Sequence, residues 1–199
     1  MKLLVVSQYF WPESFRINDL VREFVARGHE VTVLTGQPNY PDGEIFKAYS
    51  DAPEKFTDYF GAKIIRVPLI SRGRGGFRLA LNYASFAVSA CLLGPFRLRR
   101  TEFDRILTFE PSPVTVALPA NLLRKFRNKP MAFWVQDLWP ETLDALGVVK
   151  SSAILNLVGR LVSFIYNRCD LILAQSQSFV PSIAARCRHP ERIRYFPNW

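Results

Sequence analysis

Short apolar runs alternate with helical patterns along the whole chain. Between the first two runs, apolar positions recur with a helical period from Phe15 to Val25, and Gly28-His29 predicts a helix C-cap and turn. Strands are predicted at residues 2–7, 31–35, 63–67, 104–108, 131–135, 170–174 and 192–196. Continuous apolar strands that alternate with helices are typical of a parallel sheet covered on both faces. The pattern therefore predicts an α/β fold with a Rossmann-like, doubly wound, mostly parallel sheet.

Two predicted helices are apolar on almost every side. Residues 77–93 and 152–167 each carry one narrow line of polar positions, which in the first helix comprises Arg78, Asn82, Ser85 and Ser89. Such a helix is either deeply buried or partly in lipid. We expect the first helix to end at Gly94-Pro95, so that its apolar run of residues 79–93 spans about 22 Å. This is shorter than a hydrocarbon core of about 30 Å, which predicts burial or an interfacial contact rather than a membrane crossing.

The chain is basic. Its 199 residues fit one domain with a sizeable core, and 26 Lys and Arg against 17 Asp and Glu give a net charge of +9. Positive charge favours anionic partners such as a membrane surface, phosphorylated substrates or nucleic acid. Arginines flank the first apolar helix on both sides, at Arg72, Arg74, Arg78, Arg97, Arg99 and Arg100. This placement suits an anionic membrane surface or a solvated face, and no nucleic-acid-binding signature accompanies it.

The cysteines and histidines argue against several kinds of site. Cys91, Cys169 and Cys187 are odd in number and lack metal-binding spacing, which favours reduced thiols in a cytoplasmic protein. The first apolar run is too short for a signal peptide. Because His29 and His189 are the two histidines, we do not expect a histidine metal site or a Ser-His-Asp triad.

The tripeptide Trp-Pro-Glu occurs twice, each time directly after a predicted strand. The copies run from Trp11 to Glu13 and from Trp139 to Glu141. Ligands of parallel α/β sheets bind at the carboxyl ends of the strands, so the two copies are predicted to form two walls of one site. The alternative is structural, with each Trp packed under a turn and each Glu placed at a helix N-terminus.

Two further strand ends carry candidate ligand contacts. Residues 36–61 are rich in Pro, Asn, Asp, Gly and Tyr and predict a long loop, in which Asn39 and Tyr40 suit contacts to a sugar. A turn-rich lid without specific chemistry is the alternative. Glu110, which follows the fourth predicted strand, is another candidate, and Ser112-Pro113 is expected to supply the N-cap and first residue of the next helix.

The chemistry available at these strand ends suits a carbohydrate. The turn from Ser7 to Glu13 contains no glycine, so the fingerprint of a dinucleotide-binding oxidoreductase is missing, as are Walker A and nucleophile-elbow motifs. Carboxylates can accept hydrogen bonds from sugar hydroxyls, and indoles offer flat apolar surfaces to sugar rings. The candidate contacts are Trp11, Glu13, Asn39, Tyr40, Glu110, Asp137, Trp139 and Glu141.

Five segments, in order, resemble the amino-terminal half of bacterial glycosyltransferase family 4. They are residues 9–13 (YFWPE), 15–20 (FRINDL), 27–36 (RGHEVTVLTG), 38–43 (PNYPDG) and 136–141 (QDLWPE). The final residues 196–199 (FPNW) resemble the segment that leads into the second domain of that family. The resemblance covers the whole chain and is greatest to the N-acetylfucosaminyltransferase-like branch of surface-polysaccharide synthesis.

This resemblance implies one half of a GT-B enzyme, in which two Rossmann-like domains face a cleft. Such enzymes retain the anomeric configuration and need no metal or other cofactor. Residues 1–199 would form the amino-terminal domain, which mostly holds the acceptor, while a carboxyl-terminal domain binds the nucleotide-sugar. Asp137 is then the expected catalytic residue, which orients an acceptor or donor-sugar hydroxyl. Glu13, Glu141, Trp11 and Trp139 are expected to contact sugar or to shape the site.

The resemblance also implies the partners. They are a sugar acceptor that is lipid-linked and a nucleotide-sugar bound through the second domain. The arginines around the first apolar helix add an anionic surface at the inner face of the membrane as a third expected partner. The chain alone is expected to be inactive, because stabilisation of the leaving diphosphate belongs to the second domain, which the sequence does not include. The alternative is a naturally separate, non-catalytic subunit that binds the acceptor, recruits the membrane and pairs with a donor-binding chain. Coding sequence after Trp199 would favour the first possibility, and a stop codon would favour the second.

Overall fold

The computed structural model describes residues 1–147 and 149–198, and these residues contain an eight-stranded sheet. The sheet order is β3-β4-β2-β1-β5-β6-β7-β8, and all neighbouring strands are parallel except β3 and β4. The predicted doubly wound, mostly parallel sheet is therefore confirmed. The strands are β1 (Lys2–Val6), β2 (Glu30–Gly36), β3 (Asp58–Tyr59), β4 (Ala62–Val67), β5 (Arg105–Glu110), β6 (Met131–Val135), β7 (Leu171–Ala174) and β8 (Ile193–Tyr195).

Helices connect the strands and cover both faces of the sheet. They are α1 (Arg16–Ala26), α2 (Lys47–Asp51), α3 (Gly76–Arg97), α4 (Ala117–Arg127), α5 (Glu141–Ala145), α6 (Ser152–Tyr166) and α7 (Phe179–Ala184). The predicted cap of α1 is confirmed, because Gly28 has a φ of 79° and His29 donates its backbone N–H to the carbonyl of Phe24 at 3.0 Å. The positive φ is one that glycine adopts without a steric penalty.

The core consists of two hydrophobic clusters, one on each face of the sheet. Alternate side chains of β1 enter opposite clusters: Leu3 and Val5 join one, and Leu4 and Val6 join the other. The cluster that contains Leu3 and Val5 is covered by α1. The cluster that contains Leu4 and Val6 is covered by α3, α4, α6 and α7. All these apolar side chains are almost fully removed from water, which is the main stabilising contribution to a fold of this size.

Residues 36–61 are more regular than predicted. They contain α2, a 3₁₀ turn at Pro53–Phe56 and the short strand β3. The expectation of one long irregular loop is therefore wrong. The segment is ordered by aromatic packing rather than by a periodic apolar face: Phe56 lies 5.7 Å from Tyr49 and 5.2 Å from Trp11 between ring centroids.

The start of the helical region after β5 also differs from the prediction. Ser112 has a φ of 144°, Pro113 is the N-cap, and a 3₁₀ turn at Val114–Val116 precedes α4. No side chain hydrogen-bonds this N-cap position. The expected Ser112 cap is therefore wrong, because the φ of Ser112 lies outside the extended conformation of an N-cap residue and Pro113 takes that position instead.

Helix α3 is longer than predicted, because it continues through Gly94-Pro95 to Arg97. Proline in the last turn does not end it: Leu98 donates its backbone N–H to the carbonyl of Gly94 at 2.9 Å, and the Arg97 guanidinium donates to the carbonyl of Arg66. Its 22 residues extend about 33 Å, so the prediction that it is too short to cross a bilayer is wrong on length. By length and composition alone, α3 is long and apolar enough to cross a membrane.

The side of α3 that faces the protein carries the buried apolar residues Phe86 and Ala90 together with most of the predicted polar line. Asn82, Ser85 and Ser89 of its predicted polar line face protein, where they hydrogen-bond the backbone of residues 68–70. The apolar side chains Phe77, Val88, Leu92 and Phe96 are exposed. At 100° per residue, these four positions fall within about 100° of the helix circumference. We call them the α3 apolar stripe.

Candidate functional site

The order of the strands identifies where a ligand would bind. β1 lies between β2 and β5. After β1 the chain forms β2 and β4 on one side of it and then crosses over to form β5 on the other side. Doubly wound folds bind ligands at this reversal of strand order, beyond the carboxyl ends of the strands. A cleft of about 560 Å³ lies here, lined by residues 11–16 after β1, by Phe109 and Pro111, and by Gln136 after β6. We call it the switch-point cleft.

Glu13 lines this cleft, but its carboxylate is occupied by the protein. The residue is 2% exposed. One oxygen accepts the backbone N–H of Asn39 and of Tyr40, both at 2.8 Å, and the other accepts that of Phe10 at 3.1 Å. Burial raises the pKa of Glu13 to about 7, although these three backbone donors and Arg66 act in the opposite direction. Glu13 therefore joins the turn after β1 to the loop after β2, and its contact with a sugar stays a prediction.

Trp11 also lines the switch-point cleft and is half-buried. Its indole packs against Phe56 and Tyr59, with ring centroids 5.2 and 5.6 Å away. Its carbonyl accepts a hydrogen bond from Arg66. The remaining exposed part of the indole is available as a flat surface beside the cleft, so the predicted stacking role is compatible with its position and stays a prediction.

Asn39 and Tyr40 lie at the carboxyl end of β2 but outside the residues that line the switch-point cleft. Asn39 is fully buried, and its side-chain oxygen accepts the backbone N–H of Arg72 at 3.0 Å and the amide of Asn82 at 3.1 Å. Tyr40 is more exposed and packs 5.2 Å from the ring of Phe15, with the Arg72 guanidinium 5.2 Å from its own centroid. In this structure Asn39 holds the loops together, and Tyr40 is the more accessible of the two.

Asp137 follows β6 and is half-buried in a fixed orientation. One carboxylate oxygen accepts the indole N–H of Trp139 at 3.0 Å, and the other accepts the hydroxyl of Thr142 at 2.6 Å. A carboxylate oxygen has two lone pairs, so each oxygen can still accept one more hydrogen bond from a ligand. The second Trp-Pro-Glu copy therefore orients Asp137 through Trp139.

Glu110 ends β5 and is fully buried. Neither of its carboxylate oxygens makes a hydrogen bond of ordinary geometry to another described residue. Burial raises its pKa well above the usual value and the charge of Asp137 adds to the effect, while the nearby N–H groups of Asp137 and Gln136 oppose it. Glu110 is therefore protonated more readily than an ordinary glutamate, and it lies beside the predicted catalytic residue.

Glu141 begins α5 and is tied to the other side of the domain. Its Oε1 accepts hydrogen bonds from Arg186, from Nε at 3.1 Å and from Nη2 at 2.8 Å. Glu141 lines a different groove, whose lining shares no residue with that of the switch-point cleft. Glu141 and Glu13 therefore lie in different grooves, and the substrate contact expected of Glu141 stays a prediction.

The hypothesis that the two Trp-Pro-Glu copies form two walls of one site is wrong. Trp11 packs against the hydrophobic cluster under α1, whereas Trp139 packs against the cluster on the opposite face of the sheet. Residues 11–13 line the switch-point cleft, and Pro140-Glu141 lines the other groove. Both copies follow strand ends, as the sequence predicts, but the sheet separates their aromatic side chains.

Two residues that the sequence argument did not select organise this edge. Arg66 is buried in β4 and donates to the carbonyls of Gly36 and Trp11; its burial lowers the pKa to about 10. Asn82 of α3 accepts the side-chain amide of Gln8 at 2.6 Å. A charged residue inside an apolar strand and an amide inside an apolar helix are the signals that could have identified them.

Within residues 1–147 and 149–198, no three His, Cys, Asp or Glu side chains come together in an arrangement that could hold a metal ion.

A sequence profile of the glycosyl transferase 4-like domain family matches residues 14–199, and the chain belongs to this family. It is 27% identical over 207 residues to the "Putative colanic acid biosynthesis glycosyl transferase WcaI" of Escherichia coli (strain K12), with 100% of the chain and 50% of the relative covered. The chain thus spans about half the length of this curated relative.

Solved structures share the fold at low sequence identity. The glycotransferase of kitacinnamycin matches with a TM-score of 0.58 and 15% identity, over 98% of this chain and 51% of that one. The lipopolysaccharide outer core galactosyltransferase WaaB matches with a TM-score of 0.54 and 14% identity, over 100% and 46%. A UDP-N-acetylglucosamine 2-epimerase matches with a TM-score of 0.55 and 14% identity, over 98% and 47%. The chain therefore has the Rossmann-like fold of one half of a GT-B enzyme.

Proposed function

We propose that this domain is the acceptor-binding half of a retaining glycosyltransferase, which moves a sugar from a nucleotide-sugar to a polysaccharide or lipid-linked acceptor. The observation that carries the proposal is the switch-point cleft, which combines aromatic surfaces and polar groups at the place where doubly wound folds bind ligands. Membership of the glycosyl transferase 4-like family supports glycosyl transfer. The proposal includes placement in the N-acetylfucosaminyltransferase-like branch and a reaction that requires no metal.

A polysaccharide product is supported by the relative WcaI, whose name places it in colanic acid biosynthesis. In the proposed reaction, Asp137 accepts a hydrogen bond from the acceptor hydroxyl or from a hydroxyl of the donor sugar. Trp139 and Thr142 each donate a hydrogen bond to a different oxygen of its carboxylate. A group held in this way orients a reactant without having to reorganise at the moment of reaction, which is how a positioned side chain lowers a barrier.

The experiment that tests this role is the substitution Asp137→Asn in the gene product that contains the chain. An asparagine can keep the Trp139 hydrogen bond through its oxygen and donate its NH₂ group to the Thr142 hydroxyl, so the fold should be retained. Sugar transfer from labelled nucleotide-sugars to extracted lipid-linked acceptors should fall about 100-fold or more, because a neutral amide is a weaker acceptor. Thermal unfolding is measured in parallel.

Thr142→Val is the matched variant, since it removes one hydrogen bond to the same carboxylate and keeps the charge. It should reduce transfer far less than Asp137→Asn does. A fall in unfolding temperature that parallels the loss of transfer would assign Asp137 a structural role instead. Transfer that requires a separately encoded donor-binding chain would favour the alternative of a non-catalytic acceptor-binding subunit.

The proposal includes a cytoplasmic location and peripheral contact with an anionic inner-membrane surface. The α3 apolar stripe supports this contact, because it exposes large side chains on one side of a packed helix. The exposed side chains of Arg74, Arg99 and Arg100 flank the helix and that of Arg78 lies in its first turn, whereas Arg97 donates to the backbone of β4. Apolar side chains beside cations are typical of helices that lie in the interface of an anionic membrane.

A further inference from the structure

A second and larger groove, of about 960 Å³, lies between α5, α6 and the segment after α7. Its charged lining consists of four arginines and two acids, an excess of positive charge: Arg160, Arg168, Arg186, Arg188, Glu141 and Asp144. We call it the arginine groove. Its volume lies near the upper end of the range of small-ligand pockets.

One arginine is built into this groove. Arg186 is fixed by two hydrogen bonds to Glu141, and its guanidinium crosses α6 at Gly159. A Cβ atom at position 159 would stand 2.8 Å from Arg186 Nη1, which is closer than real Cβ contacts come. A side chain at position 159 would therefore require the end of the Arg186 side chain to shift from its observed position.

Two other arginines have guanidinium groups without protein partners. The side chains of Arg160 and Arg188 are exposed and make no ion pair or hydrogen bond with another residue that the structure describes. The backbone N–H of Arg188 donates to Asn167 Oδ1 at 2.7 Å, so the main chain that carries it is held against the end of α6. Guanidinium groups of this kind bind carboxylates through two parallel hydrogen bonds.

The rest of the lining is neutral, polar and aromatic. Asn156 and Ser163 belong to the polar line of α6 and supply an amide and a hydroxyl group, whereas the side-chain amide of Asn167 is engaged by the backbone of Ser163, Arg186 and Arg188. The Arg168 guanidinium covers one face of the Phe164 ring, 3.6 Å from the ring centroid, and the side chain of Phe164 stays 43% exposed. Amides, hydroxyls and an aromatic surface match the hydroxyls and apolar faces of sugar rings, and the unpaired arginines match negative charge carried on those rings.

We propose that the arginine groove binds an acidic oligosaccharide, with carboxylates on Arg160 and Arg188 and sugar rings along the polar line of α6 and Phe164. This binding does not depend on the proposed transfer reaction, because the lining of the arginine groove contains neither Asp137 nor any residue of the switch-point cleft. A loss of transfer in the Asp137→Asn variant therefore leaves it untouched, and it can be measured on the chain by itself.

The test is titration calorimetry of the chain with tetragalacturonic acid, beside neutral maltotetraose and inorganic pyrophosphate. Tetragalacturonic acid should bind, maltotetraose should bind far more weakly, and the double variant Arg160→Ala/Arg188→Ala should weaken the binding about tenfold or more. The matched control Arg105→Ala/Lys125→Ala removes two exposed charges outside the groove and should leave the affinity within about twofold.

Three results would overturn the proposal. The first is an affinity for tetragalacturonic acid that the groove variant and the control variant reduce equally, which would show attraction to net charge alone. The second is equal binding of pyrophosphate and tetragalacturonic acid, which would show an anion site that does not recognise sugar. The third is no measurable binding of tetragalacturonic acid at low salt.

Discussion

At the scale of single residues, Glu13 combines two opposed effects. Its removal from water favours the neutral acid, while three backbone N–H groups favour the carboxylate. Burial is the larger effect, so the pKa in the folded protein is about 7 against an ordinary value of 4.5. A group with a raised pKa in the folded state links folding to the uptake of a proton.

The sign of this linkage gives a prediction for Glu13→Gln. Between pH 4.5 and pH 7 the unfolded chain loses the Glu13 proton before the folded chain does, so the stability that Glu13 contributes at low pH is lost as the pH rises. The loss amounts to about 3 kcal/mol in total. Urea unfolding at a series of pH values should show the wild type losing this much stability relative to Glu13→Gln.

Glu23→Gln is the control for the same loss of charge, because Glu23 lies on the exposed side of α1 and pairs with Arg27. Its stability profile should run parallel to that of the wild type over this window. Parallel profiles for wild type and Glu13→Gln would instead show that the three backbone donors outweigh burial and that Glu13 is ionised throughout.

The sequence indicated which strand ends carry polar groups but not which of those groups are free. Glu13 and Asp137 both lie in turns that follow strands, yet the first is enclosed by backbone donors and the second keeps a half-buried carboxylate. The difference depends on loops that are distant in sequence, since Asn39 and Tyr40 reach Glu13 from beyond β2. A local pattern contains no information about such contacts.

At the scale of elements, the end of β2 is held by a close approach of three segments. Gly36 donates its N–H to the carbonyl of Gln8 at 3.1 Å and accepts a hydrogen bond from Arg66 at 2.7 Å. A Cβ at position 36 would lie 2.5 Å from Leu69 Cδ2 and 3.1 Å from the Gln8 oxygen. Space at this position, rather than an unusual φ, is what requires glycine.

Gly36→Ala should therefore destabilise the domain by about 1–3 kcal/mol, the usual cost of overpacking a filled interior. Urea unfolding measures it. Gly76→Ala is the matched substitution, because a Cβ at the first residue of α3 meets nothing within 4 Å, and its effect should be neutral or slightly stabilising. Equal effects of the two substitutions would show that Leu69 moves aside without cost.

The composition of α3 was readable from the sequence, but its orientation was not. A narrow polar line on an apolar helix ordinarily predicts that the polar side faces water. Here Ser85 accepts the backbone N–H of Ile70, and Asn82 donates to the carbonyl of the same residue, so the polar line satisfies an adjacent segment of chain. The apolar stripe is left outside as a consequence.

This orientation predicts that the α3 apolar stripe carries membrane binding. Leu92 and Phe96 are 72% and 63% exposed, so Leu92→Glu/Phe96→Glu should leave the fold intact. It should abolish flotation of the chain with vesicles that contain phosphatidylglycerol, because burying a carboxylate in the interface is costly.

Phe126→Glu is the control, since Phe126 on α4 is 65% exposed and outside the stripe. It should leave flotation unchanged, and wild-type flotation should fall as salt is raised. Absence of flotation for the wild type at low salt would contradict a membrane role for α3, as would equal losses in the stripe variant and the control.

At the scale of the whole molecule, the sheet was the most predictable feature. All seven predicted strands occur, because buried parallel strands are continuous apolar runs and therefore stand out from the helices. The eighth, β3, has two residues and pairs antiparallel at the sheet edge, so it leaves too short a pattern to detect. Strand order then determines which loops meet, and the meeting of loops places the switch-point cleft between β1 and β5.

The electrostatics of that cleft lead to a prediction for the chain as a whole. Among its lining residues that the structure describes, Arg16 is the one basic side chain, and Glu13 and Asp19 are acidic. Transfer from a nucleotide-sugar requires stabilisation of the charge that develops on the departing diphosphate, and this is commonly the largest catalytic contribution. The chain alone should therefore neither transfer sugar nor bind nucleotide-sugars measurably by calorimetry. The gene product that contains the chain should do both, with its donor-binding partner added if that partner is a separate chain. Turnover by the chain alone, abolished by Asp137→Asn, would show instead that this half of the fold stabilises the leaving group by itself.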